Sequence, residues 1–149
     1  MGVFTNICAA LNHMHERHIM HLDIEPSNMF VSSEGNKVGD LKLSRYFRSR
    51  TPEAHSVVGT PYYMSPESIR GLLYYWSSDV WSLGCMLYEM ITLRSPFYME
   101  CLNYYTLGKK NTNCEYPPLP DSVSTNLKLL VYSMLHVYPK LRPRLQVLY

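Results

Sequence analysis

Residues 21–28 read HLDIEPSN and place a histidine, two carboxylates and an amide within one short stretch. Phosphoryl transfer needs a held nucleotide, a metal to offset phosphate charge, and a carboxylate to orient the attacking hydroxyl. Asp23 and Asn28 supply oxygen atoms of the kind such chemistry uses. A second cluster of chemistry-bearing side chains, HMHERHIMH at 13–21, contains His13, His15, His18 and His21. These four are spaced by two, three and three positions, so they do not share one helical face and are not read as a metal site. His21 reads instead as a packing residue of the loop. Cys8, Cys85, Cys101 and Cys114 lie far apart, which excludes a zinc knuckle and suits reduced thiols better than a disulfide framework.

The elements that must position this loop are legible from periodicity. Phe4, Ile7, Cys8, Leu11 and Met14 recur at spacings of three and four, which predicts an amphipathic helix over 3–16. MFVSSEGNKVGDLKL, 29–43, has two short apolar runs around Ser32 to Asn36, a hairpin signal. Residues 44–66 are rich in Ser, Arg, Thr and Pro and read as a long loop, a feature that compact domains keep for function. A second helix is expected from about Asp79 to Leu93, with SSD at 77–79 as its N-cap region. Val80, Trp81, Leu83, Leu87, Met90 and Ile91 cover most of its circumference, the mark of a buried central helix. After the Pro-rich YPPLPDSVS, a third helix is expected over about 124–136, carrying Leu127, Leu130, Val131 and Leu135.

The chain has 149 residues, enough for one compact domain, with 46% hydrophobic and 17% charged residues. A formal net charge of +2, with scattered Lys and Arg, gives no footprint for nucleic acid or a membrane surface. No run of 18 apolar residues is present, and 1–16 lacks the features of a signal peptide. The opening Met-Gly is followed by Asn6 where a myristoylation signal has Ser or Thr.

The strongest signal is an ordered series of spacings: His21-x-Asp23-x-x-x-x-Asn28, Asp40-Leu41-Lys42, Ser65-Pro66-Glu67, Asp79-x-Trp81-Ser82-x-Gly84, and Arg142-Pro143. Together they resemble the C-terminal lobe of a eukaryotic protein kinase. HSVVGTPYYMSPE, DVWSLGCMLYEM, SPFY and CEYPPLP are similar to the NIMA-related kinases, in particular the short members that are little more than a catalytic domain. The resemblance implies a mainly α fold with a small β-hairpin, without an N-terminal lobe. It implies ATP and Mg2+ as cofactors, Asp23 as the carboxylate that orients the hydroxyl, and Asn28 and Asp40 as metal and cofactor ligands. It also implies Ser56 as a regulatory phosphosite, Thr60 in the substrate loop, and structural roles for His21, Glu67, Asp79 and Arg142. Glu67 and Arg142 would tie the activation segment to the lobe, and Asp79 would cap a helix and anchor the loop. Partners by resemblance are protein substrates or related kinases, in cytoplasm or nucleus and at the spindle or centrosome.

Several positions depart from the family pattern. Leu22 replaces an Arg that pairs with a phosphorylated activation loop, and Glu25 replaces a Lys that contacts the transferred phosphate. Losing one such electrostatic stabiliser costs ~3 kcal/mol in the transition state. Lys42 replaces the Gly of the magnesium loop, and the hairpin before Asp40 is one residue shorter than in the family. No two of the seven glycines stand two apart, so no glycine-rich nucleotide loop is expected. These features leave three expectations: a kinase domain with impaired catalysis, a pseudokinase-like binding module, or a non-functional gene-fragment product.

Overall fold

The computed structural model describes residues 2–32, 35–46, 61–73, 75–101 and 103–148. Helix α1 (Gly2–Glu16) buries Phe4, Ile7, Cys8 and Leu11, the face its periodicity marks. It stops in a turn where His18 takes φ 61°, and β1 (Ile19–Met20) follows directly. The loop at 21–25 then leads into a 3-10 turn at Pro26–Asn28, where proline at the first position costs no hydrogen bond. β2 (Met29–Ser32) and β3 (Gly35–Val38) form an antiparallel hairpin with Met29 opposite Val38 and Ser32 opposite Gly35.

The hairpin therefore ends at Val38, short of the expected Leu43, and residues 39–44 belong to the loop that carries Asp40. The long segment expected to be loop is not all irregular. β4 (Arg45–Tyr46) pairs antiparallel with β1, Ile19 opposite Tyr46 and Met20 opposite Arg45. Pro61–Tyr63 makes a 3-10 turn, and α2 (Pro66–Ile69) starts with proline behind Ser65, whose hydroxyl accepts from the Ser68 N–H.

Helix α3 (Trp76–Thr92) is the pillar of the lobe, with Val80, Trp81, Leu83, Cys85, Met86 and Leu87 buried around it. It begins a turn earlier than SSD suggests. Tyr75 is the N-cap, Ser78 donates its N–H to the Tyr75 carbonyl at 2.7 Å, and the Ser78 hydroxyl accepts from the Tyr75 N–H at 3.2 Å. Asp79 thus lies inside the first turn, free of capping duty and available to reach elsewhere. The helix ends at Leu93, in the left-handed conformation at φ 62°.

Two further helices complete the core, one against α2 and one against α3. α4 (Tyr104–Asn113) has Asn103 as its cap, the side-chain oxygen accepting from Tyr105 and Thr106 N–H groups at 3.0 and 3.1 Å. α5 (Thr125–Met134) starts at Ser124 and packs against α3 at Gly84. A Cβ on Gly84 would lie 2.8 Å from the Met134 Cβ, so only glycine permits that approach. Trp81 stacks on Phe97 at 5.5 Å, and Tyr116 meets Phe97 edge-on at 5.5 Å, a spacing at which aromatic pairs add stability beyond their buried area. Among the described residues no helix is long and apolar enough to cross a membrane.

Candidate functional site

The loop at 21–28 is held from both sides by backbone and side-chain hydrogen bonds. His21 is fully buried, and its Nε2 donates to the Gly39 carbonyl at 3.0 Å. Because a carbonyl only accepts, this bond puts the ring hydrogen on Nε2 and leaves Nδ1 to accept the Asp23 N–H at 3.2 Å. His21 therefore links the Asp23 turn to the end of the hairpin that leads to Asp40. Asn28, nearly buried, donates its amide to the Asp23 carbonyl at 2.8 Å and to Asp23 Oδ2 at 3.0 Å. Its Oδ1 is the atom with lone pairs to offer a cation.

The loop backbone is strained where Leu22 takes φ 68°, a region that costs a non-glycine residue about 1–2 kcal/mol. Asp79 holds it there from the first turn of α3. Its Oδ1 accepts from the Leu22 N–H at 2.9 Å and its Oδ2 from the His21 N–H at 3.0 Å. His15 completes the set, with Nε2 at 2.7 Å from Asp79 Oδ2 and its ring 4.9 Å from that of Trp76. Burial raises the Asp79 pKa, but the His15 contact and the two backbone donors outweigh it and hold the carboxyl below its ordinary value. The Leu22 side chain, in turn, packs with Trp76 against the buried Met20.

A second anchor ties residues 65–69 to the chain near 142. Arg142 sets two nitrogens on the Glu67 carboxylate at 2.6 and 2.8 Å. Its remaining N–H groups go to the carbonyls of Ser77, His136 and Val137, so all five donors are spent. The guanidinium also lies 5.0 Å from the centre of the Trp81 ring, and Ser78 donates its hydroxyl to Glu67 at 2.8 Å. Burial again raises the Glu67 pKa, and the Arg142 bonds and charge reverse it to a net lowering.

Asp40 takes φ 51°, a conformation aspartate tolerates better than most residues. Its Oδ1 accepts from the Lys42 N–H at 3.2 Å, and the Lys42 ammonium lies 3.5 Å from its Oδ2. Leu41 between them is exposed. Glu25 accepts a short hydrogen bond from the Ser27 hydroxyl within the same loop. Ser56 and Thr60 lie outside the described residues.

A protein kinase domain model matches residues 2–149. The chain is 43% identical over 146 residues to the probable serine/threonine-protein kinase nek2 of Dictyostelium discoideum, covering 95% of this chain and 34% of that protein. It is 40% identical over 141 residues to the mouse (Mus musculus) serine/threonine-protein kinase Nek4, covering 94% and 18%. It is 37% identical over 145 residues to the human (Homo sapiens) serine/threonine-protein kinase Nek5, covering 96% and 20%. The chain belongs to the NIMA-related protein kinases. It spans about a third or less of the length of these three relatives.

As a NIMA-related kinase domain, the chain has the elements of the C-terminal lobe, mainly helical with a small hairpin. The family uses ATP and Mg2+, and the donors here test whether this site fits the metal. Magnesium takes oxygen ligands in a near-octahedral set. Asn28 Oδ1 offers one and the Asp40 carboxylate others, with the exposed Lys42 ammonium 3.5 Å from its Oδ2. Among the described residues no group of three or more His, Cys, Asp or Glu side chains is placed to hold a metal ion. Asn28 and Asp40 are the residues that would hold the ion, with nucleotide phosphates and water supplying its other oxygens.

Sequence reasoning singled out the ends of both anchors except one. His15 stands in the sequence as one of four histidines without a role, yet it is the partner of Asp79 across 64 positions. The signal available in the sequence was its place in the last turn of α1, immediately before the loop it supports.

Proposed function

We propose that this chain is a NIMA-related serine/threonine kinase domain with impaired phosphotransfer, whose loop at 21–28 serves mainly as scaffold. The observation that carries the reading is the Glu25 carboxylate, held within the loop by the Ser27 hydroxyl. Glu25 adds a carboxylate to the loop, so developing phosphate charge meets repulsion where the family supplies a lysine. One missing electrostatic stabiliser lowers the rate by about 10²–10³, and this loop departs at Leu22 as well. Any residual transfer would run from ATP to a protein serine or threonine, with Asp23 orienting the hydroxyl.

The test is radiolabel transfer from Mg-ATP to a protein substrate by wild type, Asp23→Asn, and the triple variant Leu22→Arg, Glu25→Lys, Lys42→Gly. Equal background from wild type and Asp23→Asn supports impairment, and a gain in the triple variant assigns it to these positions. A wild-type signal abolished by Asp23→Asn overturns the reading. A thermal-shift titration with Mg-ATP reads nucleotide binding separately, since a ligand of the native state raises the melting temperature.

A second reading, a binding module for related kinases, is favoured by the completeness of both anchors beside altered charge positions. A noncooperative melt would instead point to a non-functional fragment product. Placement in cytoplasm or nucleus, at the spindle or centrosome, is part of the proposal and is read by imaging a fluorescent fusion.

A further inference from the structure

A cleft of 490 Å³ opens between the end of α1, the start of α3 and residues 139–146. That volume lies within the range of small-molecule sites, about 300–1,000 Å³. Trp76, Val80, Pro143 and Leu145 give it apolar walls, while Lys140 and Arg144 stand exposed at its rim. Among the described residues neither of these cations is in an ion pair. The acidic wall residue, Glu16, holds the Asn12 amide at 2.9 Å. Two unpaired cations against one engaged carboxylate give the cleft a positive balance.

We propose that this cleft is a regulatory site for a small planar aromatic acid, its ring on the apolar walls and its acidic group toward Lys140 and Arg144. What makes the site regulatory is which other residues reach it. His15 and Arg142 both line the cleft. His15 leads through Asp79 to the backbone N–H groups of His21 and Leu22, and Arg142 leads to Glu67. A ligand seated there packs behind both anchors and holds them in one arrangement, so binding and loop rigidity are coupled in both directions. The inference concerns binding and rigidity alone and stands whether or not the chain transfers phosphate.

The experiment titrates the full chain with indole-3-acetate, with neutral indole-3-ethanol as the control, by protein-observed NMR. Hydrogen exchange at the His21 and Leu22 amides is followed in parallel. The expected result is saturable binding of the acid, weakened about tenfold by Arg144→Glu and similarly by Lys140→Glu. Slower exchange at both loop amides should accompany saturation. Arg144 and Lys140 are exposed, and thermal melts of the variants show that they remain folded. Absence of saturable binding, equal binding by folded Arg144→Glu, or equal binding of the neutral control overturns the site. Saturation with unchanged exchange at His21 and Leu22 overturns its coupling to the loop.

Discussion

Asp79 accepts the backbone N–H of Leu22 at 2.9 Å and so fixes a residue whose φ of 68° would otherwise relax. With His21 held by the other oxygen, one carboxylate from the central helix sets the course of the whole loop. Asp79→Ala should leave two buried N–H groups unpaired, at about 1–3 kcal/mol each, and free the strained turn. Urea denaturation measures the loss, and faster amide exchange at His21 and Leu22 locates it.

Acid should destabilise the lobe through the same group. The folded pKa of Asp79 lies below its ordinary 3.8 and that of Glu67 below 4.5. Their stabilisation is therefore complete above those values and lost as pH falls through the lower folded pKa, because the unfolded chain takes up protons first. Urea midpoints should decline from about pH 5 downward, and Asp79→Asn should flatten that decline.

Glu67→Gln should be severe for a different reason. It leaves the Arg142 guanidinium, whose side chain has no exposed surface, without its counter-charge. Breaking a buried pair from one side costs about 3–5 kcal/mol. Arg142→Lys should not rescue the lobe, since an ammonium cannot reproduce five directed N–H donors. Thermal melts of the two variants, each against wild type, check both statements.

Gly84→Ala sets two effects of opposite sign against each other. Alanine gains about 1 kcal/mol in helix propensity over glycine. Its Cβ would stand 2.8 Å from the Met134 Cβ and 3.1 Å from a Leu135 methyl, however, and a Cβ on a packed helix cannot swing aside. Overpacking of this kind costs about 1–3 kcal/mol, so the net change should be destabilising. A lowered urea midpoint is the expected readout, and a raised one would show that α5 moves away easily.

The four free cysteines should react in separable phases. Cys101 is exposed, whereas Cys8 and Cys85 are fully buried. Burial pushes the Cys8 thiol up to about 12 and Cys85 well above its ordinary value. At neutral pH a thiol reagent should modify Cys101 at once and reach Cys8 and Cys85 only through unfolding. Cys101→Ser should remove the fast phase, as mass spectrometry of timed samples would record.

The sequence disclosed most clearly the elements that bury regular apolar faces. Phe4, Ile7, Cys8 and Leu11 announce α1, and the apolar circumference of α3 announces a central helix. Helix α4 was missed because its buried positions are Leu107 and the polar Asn111, which leave no apolar stripe to read. The β1–β4 pair was missed because each strand has two residues, too few for an alternation to register. In the candidate site, the spacing of Asp23 and Asn28 anticipates one shared loop, in which an amide hydrogen bond joins them. The engagement of Asp40 by Lys42 was not legible, because it depends on a backbone conformation at Asp40 that residue types alone do not specify. The His15–Asp79 contact joins positions 64 apart and had no local signature.

The bond between Glu67 and Arg142 spans 75 positions, which gives it a place in time as well as in space. A chain emerging from the ribosome at ~5–20 residues per second presents the carboxylate seconds before its guanidinium. Until then α2 can form with its Ser65 cap, but the negative charge beside Ser78 must stay hydrated and the core around Trp81 open. Closing so long a loop makes the pair a late event, because its closure entropy must be met before the bond can reward it. Docking of residues 136–148 is therefore the step that covers Trp81, whose ring the Arg142 guanidinium faces at 5.0 Å.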